Sequence, residues 1–159
     1  MIFYTLGVYG LTAEVFFKKI ENNNIDTFLD IRRRRAVRGS QYAFANSKRL
    51  QNKLSELGIR YIHIPDLSPT NEIKNMQYAE DEKSGTTQRK RESLSKVFIS
   101  AYKNQILNKY SLPDMINNLK KEGTKKALLF CVEKNPTACH RSLVAEKLNR
   151  THHMKVTNL

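Results

Sequence analysis

The segment Glu133-Lys-Asn-Pro-Thr-Ala-Cys-His-Arg141 gathers a carboxylate, a thiol, an imidazole and a guanidinium directly after an apolar run, Lys126 to Val132. Thr137 is the natural N-cap of a following helix, which puts Cys139, His140 and Arg141 in or near its first turn. There the unpaired backbone N–H groups and the helix dipole favour an anion. They also lower the pKa of a cysteine, so Cys139 is a candidate nucleophile, with Glu133 or His140 placed to move a proton and Arg141 to hold an anion. A plainer reading makes Cys139 a small buried residue, His140 a satisfied helix residue and Glu133 a loop carboxylate, leaving only Arg141 in contact with a ligand.

A second such segment is Asp30-Ile-Arg-Arg-Arg-Arg-Ala-Val-Arg38. Asp30 closes a strand-like run and can orient one or two of the guanidinium groups, whose rigid fork suits phosphate and carboxylate oxygens. Arg32 and Arg38 are assigned to ligand binding, whereas a solvated reading serves Arg33, Arg34 and Arg35 equally well. Two further chemistries are weighed and set aside. Six residues beyond Cys131 stands Thr137, where a cysteine phosphatase loop needs arginine. Cys131, Cys139, His140 and His63 match no zinc spacing, and Cys131 is expected to point into the sheet, so no metal site is assigned.

The chain has 159 residues and a formal net charge of +13, a size for one domain with one substantial core. The charge is local. Nine basic residues face one acid between Arg32 and Arg60, and seven face one between Lys83 and Lys109; these stretches carry +14 and leave the rest at −1. Phosphate-bearing partners are therefore the leading class, nucleic acid among them. No apolar run has the length of a membrane span, no charged leader with an apolar core precedes the first strand, and two cysteines are too few for a disulfide scaffold. The expectation is a cytoplasmic protein with free thiols and no membrane partner.

The elements that must position these segments alternate. Strands are expected at Ile2 to Leu6, Ile25 to Ile31, Arg60 to Ile64, Lys126 to Val132 and, more faintly, His153 to Asn158; the central ones read as near-continuous apolar runs. Ala13, Phe16, Phe17 and Ile20 mark a helix capped by Thr12, and Leu50, Leu54 and Leu57 one opened by Asn46 or Ser47 and closed by Gly58. Helix is expected through Glu72 to Glu82, then a break at Ser84 and Gly85. A long basic helix follows, with Leu94, Val97, Phe98, Ala101, Tyr102 and Ile106 inward. A short one has Pro113 in its first turn and Met115, Ile116 and Leu119 inward. This order predicts one α/β domain over residues 1–159, with three layers and a mainly parallel sheet of about five strands flanked by helices. Ligands of such sheets lie beyond the carboxyl ends of the strands, which selects the segments after Ile31, Ile64 and Val132.

Asp30-Ile-Arg-Arg, Arg38, Gly58-Ile-Arg-Tyr-Ile-His63, Leu67-Ser-Pro-Thr70 and Cys131-Val-Glu-Lys-Asn-Pro-Thr-Ala-Cys-His-Arg141 occur in an order that resembles the domain of unknown function 488 family, over nearly the whole chain. The resemblance implies a Rossmann-like domain and one site that unites Arg32, Arg38 and the Cys139-His140-Arg141 turn. It implies very little about the reaction and leaves any cofactor open. The chain departs from the commoner pattern at Arg35 and Val37, where Pro and Ser often stand, and looks like an arginine-rich branch. Asp30, Tyr42, His63 and Thr70 complete the ligand-binding set. Tyr42 and Phe44 read either as a stacking platform for a base or as a lid on the core, and Thr70 reads first as an N-cap.

Three functions follow: an enzyme acting on a nucleotide or nucleic-acid phosphate substrate, a non-catalytic nucleic-acid binding module, or a binder of a small anion.

Overall fold

A computed structural model describes residues 1–159. Five strands, β1 (Ile2–Leu6), β2 (Thr27–Asp30), β3 (Arg60–His63), β4 (Lys126–Phe130) and β5 (Lys155–Asn158), form one sheet in the order β3-β2-β4-β1-β5. Every pairing is parallel, with Leu6 opposite Phe130 and Asp30 opposite both Phe130 and His63. The helices are α1 (Ala13–Asn22), α2 (Ser47–Glu56), α3 (Asn71–Lys83), α4 (Lys96–Tyr102), α5 (Leu112–Lys121) and α6 (Arg141–His152).

The strand order fixes which face each helix covers. Connections from β1 to β2 and from β2 to β3 run one way along the sheet, and those from β3 to β4 and from β4 to β5 run the other. Right-handed crossovers therefore place α1 and α2 on one face and α3 to α6 on the other. The two cores match: Phe16, Ile20, Leu50 and Leu54 pack with Phe28 and Phe130, while Ile73, Tyr102, Ile116 and Val144 pack with Leu29 and Leu129. β4 contributes to both, which is why it reads as an unbroken apolar run.

Local signals hold in most places. Thr12 accepts from Val15 N at 3.2 Å and Thr70 from Ile73 N at 3.2 Å, each as an N-cap. Gly58, at φ +69°, ends the turn after α2 in the left-handed region that favours glycine. Two expectations fail. The long basic helix does not resume after Gly85: residues 84–95 form an irregular strap and α4 begins only at Lys96. Arg91, expected on a solvated helix face, is buried against Asp81 of α3, which holds the strap down. After Tyr102 the helix widens into a π turn, Lys103–Leu107, whose extra residue advances the inward stripe. Leu107 is buried, Ile106 packs half-buried against the same core, and Val97 is exposed.

Candidate functional site

Four chain segments leave the carboxyl ends of the strands and enclose a cleft of about 710 Å³, within the size range of small-molecule and cofactor sites. The divergence of α1 and α6 to opposite faces opens the sheet at this end, the position at which α/β sheets bind ligands. The loop after β1 closes tightly on the loop after β4: Val8 N and Tyr9 N both donate to Val132 O, at 3.1 and 3.0 Å. A Cβ on Gly7 would stand 1.9 Å from Glu133 O, so only glycine permits this approach.

The floor consists of Cys131, Glu133, Cys139 and His140, all buried and all on the cleft. Thr137 is not the helix cap. Its hydroxyl donates to Glu92 O and its carbonyl accepts from Leu94 N, tying this turn to the strap. A short 3-10 turn, Pro136–Ala138, intervenes, and α6 begins at Arg141 with His140 at the cap position. Cys131 is buried in the core with Leu129 and Val144 and also borders the cleft floor, where its Sγ lies 3.5 Å from Glu133 Oε2 and 3.8 Å from His140 Nδ1. Cys139 Sγ is also 3.8 Å from His140 Nδ1. His140 Nε2 lies 3.3 Å from Ile31 O, which keeps a proton on that nitrogen and turns Nδ1 toward both sulfurs.

These neighbours govern charge on the floor. Burial opposes ionisation of Cys139, but the hydrogen bond with Cys131 and the charges of His140 and Arg141 together hold its thiol well below the ordinary range. Cys131 moves the other way, through its hydrogen bond with Cys139 and its own burial. Burial, reinforced by the Cys139 charge, pushes Glu133 up to about 7, with Gln88 opposing. His140 is raised: burial lowers it, and the charges of Cys139 and Glu133 more than offset this. The lowering of Cys139 thus has side-chain causes beyond the helix N-terminus expected from the sequence.

The arginines divide differently from expectation. Arg32 is buried, donates from Nε and Nη2 to the two oxygens of Asp30 at 2.8 and 2.7 Å and from Nη1 to Ala45 O, and lies over the Phe130 ring. It also lines the cleft. Arg141 is buried and donates to Glu133 O at 2.7 Å and Lys134 O at 3.1 Å, so it shapes the floor turn from behind and does not line the cleft. Arg33 and Arg34, read as equally well solvated, line the mouth with Arg38, and all three are exposed. No salt-bridge partner engages any of the three.

Lys74 of α3, which the sequence did not single out, enters the same wall. Burial lowers its pKa, and so do the Arg33 and Arg34 charges, while the Cys131 and Glu133 charges oppose them. Arg89 closes one end, donating to Arg38 O at 2.9 Å and lying over the rings of Tyr9 and Tyr42.

Asp30, Tyr42, His63 and Thr70 stand outside the cleft lining. Asp30 orients Arg32 and accepts from Tyr61 Oη at 2.7 Å; His63 Nε2 meets Arg32 O at 2.8 Å; Thr70 caps α3. Tyr42 accepts from Gly10 N and packs edge-on against Tyr9, and Phe44 packs on Phe16 and Phe17, which favours the lid. Gln88, which donates to Glu133 Oε1 at 2.8 Å, comes from the strap. A residue held through tertiary contact alone leaves no local pattern to read.

No helix is long and apolar enough to cross a membrane. Neither the curated proteins nor the solved structures return a match to the chain. The model of the family described as "Domain of unknown function DUF488" matches residues 12–148, which include both arginine-bearing and cysteine-bearing loops, and the chain belongs to that family.

Proposed function

We propose that the cleft is the active site of an enzyme acting on a phosphate-bearing substrate of the nucleotide or nucleic-acid class. Arg33, Arg34, Arg38 and Lys74 bind the phosphate, and Glu133, Cys139 and His140 carry the chemistry beneath it. The observation that carries this reading is that Lys74, Arg33 and Arg34 line one cleft and form no salt bridge with any carboxylate. Like charges repel at such a spot unless an anion sits among them, and phosphate is the multivalent anion that arginine forks fit best. Support for catalysis rather than binding alone comes from the floor, where a thiol, an imidazole and a carboxylate converge in a buried setting. A non-catalytic module needs none of these three.

The test is a screen of nucleotides, oligonucleotides and generic phosphoesters against the wild type, Arg34→Ala and Glu133→Gln. Product should form with the wild type and fall at least tenfold in each variant, through KM in the first and kcat in the second. Equal background turnover in all three would overturn the reading. Salt-sensitive oligonucleotide binding without turnover, unchanged in Glu133→Gln, would favour the binding module instead.

A further inference from the structure

The ligand atoms of Cys131, Cys139 and His140 lie within 4.8 Å of one another, close enough to converge on one ion. Both sulfurs stand 3.8 Å from His140 Nδ1. A tetrahedral zinc ion, with Zn–S of about 2.3 Å and Zn–N of about 2.0–2.1 Å, sets sulfur-to-nitrogen edges of roughly 3.6 Å. The two sulfur-to-nitrogen edges need to close by only a few tenths of an ångström to share one ion, and the sulfur-to-sulfur edge, within 4.8 Å, by no more than about 1 Å. They come from the end of β4 and the cap of α6, anchored by strand pairing at one side and helix packing at the other.

The surroundings suit a metal. His140 Nε2 is held at the Ile31 carbonyl, the outer-shell contact that leaves Nδ1 free to ligate. Two thiolates neutralise a divalent cation, so the bound complex leaves no net charge on a buried floor. Thiolate and imidazole donors select zinc over magnesium or calcium. All three residues line the cleft, and three protein ligands with a position left for water or substrate are the pattern of a catalytic site rather than a structural one. Glu133, whose Oε1 is occupied by Gln88, stands beside that position with Oε2 3.5 Å from Cys131 Sγ.

We infer that Cys131, Cys139 and His140 form a mononuclear zinc site whose fourth position opens into the cleft beside Glu133. The open position rests on the reading of the cleft as an active site; the three ligands do not. Bound zinc would act as a Lewis acid at the floor. It would also make the Cys139 sulfur a ligand rather than the attacking group.

The experiment is an anaerobic titration of the reduced full-length protein with Co2+, followed by displacement with Zn2+. Expected are saturation at one equivalent, visible bands of a tetrahedral cobalt centre, an intense near-ultraviolet thiolate-to-cobalt charge-transfer band, and loss of all of them on adding one equivalent of zinc. Cys131→Ser, Cys139→Ser and His140→Ala should each weaken binding by more than about 100-fold, beyond the range of outer-shell changes. Glu133→Gln should keep the metal. Absence of the charge-transfer band in the wild type would overturn the site, a result that does not depend on any variant folding. Loss of metal in Glu133→Gln would overturn the three-ligand assignment. Binding of a nucleoside phosphate to metal-free protein, compared between wild type and Arg34→Ala, tests the cleft's cationic wall separately, so failure of one idea is distinguishable from failure of the other.

Discussion

Arg32 and Arg34 are two residues apart, yet one belongs to the architecture and the other to the mouth. Arg32 satisfies the fully buried Asp30 carboxylate with two hydrogen bonds, and Arg34 has no salt-bridge partner. Arg32→Ala should therefore cost about 3–5 kcal/mol, because it strands a buried charge. Arg141→Ala should cost about 1.5–3 kcal/mol through the two carbonyls it now holds. Arg34→Ala should stay within about 0.5 kcal/mol of the wild type and weaken phosphate-ligand binding instead. Urea unfolding of the three variants checks the order; a large loss of stability in Arg34→Ala would mean that this side chain has been misplaced. The sequence told us that the Asp30-to-Arg38 loop gathers guanidinium groups at a strand end. It did not tell which guanidinium turns inward, because that depends on a carboxylate, a carbonyl and an aromatic ring that meet only in three dimensions. The same holds for Cys131, which keeps its place in the core beside Leu129 and meets Glu133 and His140 only through the fold.

Among the elements, the strap over residues 84–95 is where pattern reading failed and where the cleft gains its roof. Its basic composition resembled a helix face, but Arg91 is fastened to Asp81, Gln77 Nε2 donates to Asp81 Oδ1 at 2.8 Å, and Ser95 N donates to Gln77 Oε1 at 2.8 Å. A buried network of this kind competes successfully with helix formation, and nothing in local spacing announces it. Burial raises the Asp81 pKa, but Arg91 and Gln77 outweigh it and leave the carboxylate lowered. A depressed folded pKa contributes stability above the unfolded value of about 3.9, and that contribution is lost as pH falls through the folded value. Asp81→Asn should thus be less stable than the wild type by a constant margin from pH 7 to pH 5, and the margin should shrink in stronger acid. Urea midpoints across that range decide it; a margin that persists at pH 2 to 3 would place the cause elsewhere. By contrast β1 to β5, α1 to α3 and α5 were legible. Their apolar periods coincide with real faces, and Thr12, Thr70 and Gly58 act through the local backbone alone.

For the molecule as a whole, parallel pairing and the divergence of crossovers at β1 and β4 place the cleft, and the charge around it is what the proposed reading uses to select a ligand. The formal +13 was legible, and so was its concentration in two stretches. The fold sets members of both stretches around one opening: Arg33, Arg34 and Arg38 from the first, Arg89 from the second, with Lys74 between them in sequence. An oligonucleotide that crosses this mouth neutralises several of these cations at once, whereas a mononucleotide reaches the cleft alone. If four phosphates of a single strand are engaged, the logarithm of affinity should fall with the logarithm of salt at a slope of about −2.8, from roughly 0.7 per phosphate contact. Arg34→Ala should make that slope shallower by about 0.7. A mononucleotide should show the smaller slope and still raise the melting temperature, by mass action on the folded state. Fluorescence anisotropy between 50 and 400 mM salt measures the slopes, and thermal unfolding measures the shift. A slope indifferent to Arg34→Ala would remove the cleft from nucleic-acid binding and leave the Lys48, Arg49 and Lys53 surface of α2 as the charged face responsible.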